Sequence, residues 1–305
     1  MPELPVIVLT GPTAVGKTSL SIQLAQALHT EIISSDSRQI YREMTIGTAK
    51  PSPEELASVR HHLIDERHLP EPYSAGIFAN EATRLIEALH RKGKIPLVVG
   101  GSTLYLHALL YGLSDIPSID RSVRAALQQR LMTEGLEALY HELMLLDPQT
   151  ALALDPHNSQ RIVRALEVYH GTGRPLSSFH TTPAKQHRYS FYTYVLFRDR
   201  EGLYERINRR VDKMMENGLE HEVKAIISSG IDPDTIVLKT IGYKEVVSRL
   251  RDRISQTEML RLIKRNTRRY AKRQLTWFRR YPSFNWVDAD ESIDFIVNDI
   301  TRIIR

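Results

Sequence analysis

The sequence predicts an α/β fold, a parallel sheet wound with helices, that carries an inserted helical domain. Three observations point there. The first hundred residues alternate apolar, strand-like runs with segments of helical period. A Gly-x4-Gly-Lys-Thr loop, Gly11–Thr18, joins the first strand to the first helix. From Pro117 to about Arg188 the pattern is helical only, and the apolar run Tyr189–Phe197 then brings back a strand.

Val6–Leu9 is the first strand and Ser19–Leu28 the first helix. Glu31–Ser35 is a second strand. Ala75–Arg91 is a helix, with Phe78, Ala82, Leu85 and Leu89 on one stripe. Ile95–Val99 is a continuous apolar run, as a strand buried on both faces requires. It ends in Gly100-Gly101, and a helix follows over Tyr105–Tyr111. In the helical stretch, Val123, Leu127 and Leu131 share one face, and Leu136, Leu139, Leu143 and Leu146 another. Ser159–His170 is a third helix, closed by Gly171-Thr-Gly173. The rest, Glu201–Arg305, reads as mostly helical. The expected domains are therefore a core of 1–116 and 189–305 and an inserted helical domain of 117–188.

At 305 residues, 42% hydrophobic and 25% charged, the composition is that of an ordinary globular protein. No apolar run approaches the ~20 residues needed to span a bilayer. The N-terminus lacks a basic start and an apolar stretch, so neither a signal peptide nor a membrane is expected. There is no cysteine, which excludes disulfides, thiolate zinc sites and thiol nucleophiles and fits a reducing cytoplasm. The net charge of +5 is concentrated toward the C-terminus, which invites a nucleic-acid partner.

The loop Gly11, Pro12, Thr13, Ala14, Val15, Gly16, Lys17 and Thr18 sits between a strand and a helix N-terminus. Backbone N–H groups and the helix dipole there favour a di- or triphosphate. Lys17 can reach its outer phosphate, and Thr18 offers a hydroxyl to Mg2+. The loop alone does not say whether the phosphate chain belongs to ATP, GTP or another compound. Asp36, just past the second strand, falls on the same rim of the sheet. It can accept a proton from a nucleophile attacking a bound phosphate ester, or simply cap a turn. No acidic residue follows Ile95–Val99, where many phosphate-loop ATPases hold Mg2+, and this weakens a hydrolase reading.

Two helices carry basic faces. Gln160, Arg161 and Arg164 share a quadrant opposite Ile162, Leu166 and Tyr169, although solvent alone accounts for such a face. In Met259–Arg280, Arg261, Lys264, Arg265, Arg268, Arg269, Lys272 and Arg279 gather on one side. Met259, Leu260, Ile263, Tyr270, Trp277 and Phe278 take the other. No acid interrupts Leu260–Arg280. Surface helices usually mix charge signs, so a one-sign face suits a phosphate backbone.

Together these segments resemble the tRNA dimethylallyltransferase, or tRNA isopentenylpyrophosphate transferase, family. The matching stretches are GPTAVGKT (11–18), DSRQIY (36–41), IGTAKP (46–51), YSAGIF (73–78), VVGGSTLY (98–105), QRIVRALEV (160–168) and KTIGYKE (239–245). They keep the family's order and span nearly the whole chain. The resemblance implies a P-loop NTPase-like core with a parallel sheet, an inserted all-helical domain and a helical C-terminal region. It implies transfer of a dimethylallyl group from dimethylallyl diphosphate to N6 of adenosine 37, in tRNAs reading codons that begin with U. Diphosphate is released, and Mg2+ is the implied cofactor.

The resemblance also implies site residues. Lys17 and Mg2+ on Thr18 would stabilise the departing diphosphate, Arg210 would contact it, and Asp36 would take the N6 proton. Implied tRNA contacts are Asp36, Ser37, Arg38 and Gln39; Ser102 and Arg124; Gln160, Arg161, Ile162, Val163 and Arg164; and Lys239, Thr240, Ile241, Gly242, Tyr243 and Lys244. Ser102 replaces the family's usual threonine and keeps its hydroxyl. The anticodon stem-loop is the expected partner and a monomer the expected form. With no cysteine-rich finger, the chain resembles the short bacterial form. A P-loop small-molecule kinase, an adenylate prenyltransferase and a non-catalytic RNA-binding protein are the competing readings.

Overall fold

The computed structural model describes residues 4–179, 189–235, 237–291 and 293–304. The chain divides into two compact units, Met1–Tyr111 with Gln186–Arg305, and Gly112–Lys185. The 180–188 end of the expected helical stretch lies outside the described residues.

In the first unit, β1 (Pro5–Thr10) leads through the glycine loop into α1 (Lys17–Ala27). The helix begins two residues earlier than expected because Gly16, at φ 116°, forms its N-cap. There follow β2 (Ile32–Ser34), α2 (Pro53–Ser58), β3 (His61–His62), α3 (Ala75–Arg91), β4 (Leu97–Gly100) and α4 (Thr103–Tyr111). On the buried stripe of α3, Ile86 takes the place expected for Leu85. After the insertion come β5 (Ser190–Phe197), α9 (Arg200–Glu216), α10 (Leu219–Ser228), α11 (Tyr243–Leu250), α12 (Gln256–Phe278), β6 (Asn285–Asp288) and α13 (Ile293–Ile304).

The expected α/β sheet is present. Its order is β3-β2-β4-β1-β5-β6, and every neighbouring pair is parallel. Val8 on β1 faces Val98 on one side and Thr193 on the other. A strand flanked in this way must be apolar on both faces. Val6 and Val8 pack into the cluster that includes α3 and α4, whereas Ile7 and Leu9 pack into the one that includes α1 and α13.

Three short elements escaped the sequence reading. β6 is a four-residue edge strand, Asn-Trp-Val-Asp, half open to solvent, so it carries no apolar run. β3 is a pair of histidines. In α2, Ser52 and Glu55 form a reciprocal capping box, but the helix buries no residue.

The second unit contains α5 (Arg121–Thr133), α6 (Gly135–Leu146), α7 (Pro148–Ala153), α8 (Ser159–Thr172) and a 3-10 turn at Leu176–Phe179. Leu127, Leu139, Leu143, Ile162 and Leu166 form its core, as their helical spacing required. Gly173, at φ 70°, ends α8. The extra helix α7 starts at Asp147, whose carboxylate accepts from the Thr150 and Ser177 backbones.

Glu31 ties the strands together at the end of the sheet where β2 begins. Its carboxylate accepts from Lys94 Nζ at 2.8 Å and contacts His62 Nε2 at 2.8 Å. The Lys94 hydrogen bond is the main reason its pKa falls from 4.5 to about 2. A depressed carboxyl stabilises the fold fully above 4.5 and loses that contribution as pH falls toward 2. Glu31→Gln is expected to lower the thermal midpoint at neutral pH and to flatten its decline across this acid window. Parallel melting curves for the two proteins would remove Glu31 from this role.

Candidate active site

The C-terminal ends of β1, β2 and β4 open onto one cavity of about 540 Å³ within the first unit. An open parallel sheet collects ligands at such a place. The loop after β1 supplies Thr13, Gly16, Lys17 and Thr18 to the lining. Gly16 gives α1 no side-chain cap, so the first-turn N–H groups are left for a ligand.

The loop's carbonyls are held by cations. Lys17 Nζ donates to Gly11 at 3.0 Å and Pro12 at 2.8 Å. Arg206 Nε donates to Ala14 at 2.9 Å, and Arg198 Nε donates to Val15 at 3.0 Å. Gln274 of α12 completes the support. Its Oε1 accepts from Thr13 N at 2.9 Å, and its Nε2 donates to the Gly101 carbonyl at 2.7 Å. This explains the glycine pair after β4. A Cβ on Gly101 would lie 2.6 Å from Gln274 Nε2, and one on Gly100 would lie 2.2 Å from Ser35 Oγ. The strand end therefore has no room for the acidic side chain that the sequence lacks there.

Asp36 lines the same cavity. Its Oδ1 accepts from the N–H groups of Arg38 at 2.8 Å and Gln39 at 3.2 Å. The turn-capping role and a place in the cavity therefore coexist. Oδ2 takes no hydrogen bond from a described residue. Tyr270 of α12 also faces the cavity, and burial, with Asp36 nearby, pushes its hydroxyl up to about 12. It stays protonated and can donate.

Lys17, Arg206, Arg209, Arg210 and Lys213 line the cavity, against the carboxylates of Asp36 and Glu55. Arg210 donates to the Thr48 carbonyl at 3.2 Å. Burial, reinforced by Arg210, lowers the Lys17 ammonium from 10.5 to about 7, and Asp36 opposes that shift. An anion between Lys17 and Arg210 would relieve the repulsion.

Other expected residues gather around Asp36. Ser102 Oγ accepts from Ser37 N at 3.1 Å, and Arg38 Nε donates to Thr240 Oγ1 at 2.6 Å. Gln39 donates to the Thr48 and Ala49 carbonyls. Lys239 and Lys244 are exposed and Ile241 is half-buried. Gly242 and Tyr243 are buried, so the Tyr243 side chain points into the fold and away from any macromolecule at the surface.

In the second unit Gln160 and Arg161 are exposed, whereas Ile162 and Val163 are core residues whose side chains cannot reach RNA. Arg124 and Arg164 both approach Glu167 Oε2, at 3.4 and 3.1 Å.

Helix α12 packs its apolar side into the fold and ties part of its basic side to acids. Met259, Ile263, Ala271, Gln274 and Phe278 are buried along it. Arg261 pairs with Glu258 and Lys264 with Asp212, acids outside the uninterrupted run. Among the described residues no carboxylate pairs with Arg269 or Lys272. Gln274 was not singled out from the sequence and Tyr270 was read only as part of an apolar side; Arg198 and Arg206 were not chosen either. One signal was available for the first two, which are four residues apart and so share a helix face.

The IPP transferase family model matches residues 39–281. The tRNA dimethylallyltransferase of Salinibacter ruber is 54% identical over 94% of this chain and 89% of its own length. The structure of the full-length tRNA isopentenylpyrophosphate transferase from Bacillus halodurans superimposes with a TM-score of 0.72 at 40% identity, covering 99% of this chain and 96% of that one. A eukaryotic dimethylallyltransferase, captured acting on tRNA, gives a TM-score of 0.78 at 30% identity over 98% of this chain and 77% of that one.

Gln274→Leu keeps the bulk and removes both hydrogen bonds. It is expected to cost about 1–3 kcal/mol of stability, because Thr13 N–H and the Gly101 carbonyl lose their partners. It should also weaken inorganic pyrophosphate as a ligand. Denaturant melts and ligand titrations with both indices unchanged would refute this.

Proposed function

The chain belongs to the IPP transferase family, and from that premise we propose how its own residues carry out the transfer. It is a tRNA-modifying enzyme that moves a dimethylallyl group onto tRNA. The donor is dimethylallyl diphosphate, and the acceptor is N6 of adenosine 37 beside the anticodon. The observation that carries this reading is a carboxylate and a set of cations lining one cavity: Asp36 with Lys17 and Arg210.

The first-turn N–H groups of α1, Lys17 and Arg210 hold the diphosphate. As the allylic C–O bond breaks, its electron pair goes to the diphosphate oxygen, and these groups meet the charge that develops there. The N6 lone pair forms the new N–C bond, and Asp36 Oδ2 takes the N6 proton. Tyr270 and Gln274 close the cavity wall and help to keep water from the allylic carbon. The acceptor base must leave its stack in the loop, at a cost of a few kcal/mol that contacts to the RNA offset.

Mg2+ fits the donor set. Thr18 lines the cavity with a hydroxyl to offer, and Mg2+ commonly takes its remaining ligands from substrate phosphates and water. Among the described residues no cluster of three or more His, Asp or Glu offers an all-protein cage. When bound, the ion would neutralise charge on the leaving diphosphate.

A small-molecule kinase would use the same loop, but the strand end that would carry its acidic residue is filled by Ser35 and Gln274. Among the described residues no helix is long and apolar enough to cross a membrane. A tRNA acceptor makes the cytoplasm the proposed place of work. A monomer is the proposed acting form.

The test is incubation with Mg2+, dimethylallyl diphosphate and tRNA, followed by digestion to nucleosides. N6-dimethylallyladenosine is expected, and AMP run in parallel is expected to remain unmodified. Asp36→Ala should slow single-turnover transfer by roughly 10²–10⁴-fold. An unchanged rate would assign the N6 proton to another base. For α12, replacing Arg269 and Lys272 by glutamine should flatten the log–log salt dependence of tRNA binding by about one unit for each phosphate that these cations neutralise. An identical slope would make this face ordinary surface.

A further inference from the structure

The segment 45–49 overlaps the stretch 46–51 that resembles the family, yet the transfer mechanism leaves it without a part. Its N–H groups converge on one carboxylate from a distant helix. Glu222 of α10 accepts from Thr45 N at 2.9 Å and Ile46 N at 2.7 Å through Oε2, and from Gly47 N at 3.1 Å through Oε1. The Tyr243 hydroxyl also donates to Oε1, at 2.6 Å. Burial, then Glu222, pushes that hydroxyl's pKa upward, so it remains a donor. The Tyr243 ring lies against Gly47, where a Cβ would approach it to 2.4 Å.

The other side of this segment faces the cavity. Thr48 and Ala49 line it, and the Thr48 carbonyl accepts from both Arg210 and Gln39. Three N–H donors and a phenol on one carboxylate fix the turn from outside. The turn then presents the Thr48 carbonyl that orients the Arg210 guanidinium. A carboxylate suits this task because both oxygens accept, whereas an amide in its place turns an NH2 toward donors.

We infer that Glu222 and Tyr243 are positioning residues for the transfer. They lock the 45–49 turn and, through the Thr48 carbonyl, aim Arg210 at the diphosphate. Tyr243 thereby acts from inside the fold and does not touch tRNA. The inference rests on reading the cavity as a diphosphate cradle, and its test separates the two.

The probe is inorganic pyrophosphate, measured as an inhibitor competing with dimethylallyl diphosphate, with tRNA affinity measured on the same proteins. Glu222→Gln is expected to weaken pyrophosphate at least tenfold and to raise the donor KM in parallel, with tRNA affinity within twofold of the unmodified protein. In an Arg210→Ala background the same substitution is expected to add less than twofold, because the group it positions is gone. Tyr243→Phe keeps the ring against Gly47 and should move the same two constants by a smaller factor. It carries the test, with Arg210→Ala, if Glu222→Gln does not fold.

Unchanged pyrophosphate and donor constants would overturn the inference. So would full additivity with Arg210→Ala, or a loss confined to tRNA affinity in Tyr243→Phe. If pyrophosphate does not compete in the unmodified protein, the diphosphate reading itself fails.

Discussion

Lys17 and Arg210 repel one another in one cavity, and the first unit holds both there without an ion pair to a described residue. The means is the backbone carbonyl. Lys17 rests on Gly11 and Pro12, Arg206 on Ala14, and Arg210 on Thr48. A carbonyl orients a cation without cancelling its charge, so the charge stays available to an anionic ligand. Elsewhere the protein does the opposite. Lys94 rests on Glu31, Lys264 on Asp212, and Arg124 near Glu167. The depressed ammonium of Lys17 reflects burial first and then this crowding. An incoming diphosphate would meet partners that gain from its arrival.

Holding the cations requires a rigid loop, and that rigidity comes from far along the chain. Gln274 reaches back to Thr13 and Gly101, and Arg198 and Arg206 reach back to Val15 and Ala14. The glycine pair after β4 is the counterpart of this support, because Ser35 and Gln274 fill the space a side chain would need. The same loop signature that serves nucleotide hydrolases thus sits in a frame that leaves no place for their strand-end acid.

The segments around Asp36 form a second frame. Arg38 joins Thr240, Ser102 receives Ser37, and Gln39 shares the Thr48 carbonyl with Arg210. The proposed base and the proposed diphosphate cradle therefore share one hydrogen-bonded network, and displacement on one side reaches the other. Within a run that resembles a family motif, roles divide by burial: Lys239 and Lys244 face solvent, while Tyr243 is turned inward onto Glu222.

The sequence by itself determined the four central strands of the sheet and the mouth of the site. Val6–Leu9 and Ile95–Val99 are apolar throughout because both faces are covered. Gly11–Thr18 stands between a strand and a helix, and Asp36 follows the next strand, so parallel topology alone puts them on one rim. These features are local, and periodicity or spacing exposes them. The walls were decided only by tertiary structure. Gln274 and Tyr270 lie on a helix that reads as a basic arm, Glu222 on one with no evident motif, and β6 is too short and half-exposed to announce itself. Each acts through a partner dozens to hundreds of residues away, and hydrogen bonds across such separations leave no periodic trace. Two side chains in one run, such as Tyr243 and Lys244, are separated in role only when the fold decides which of them is buried.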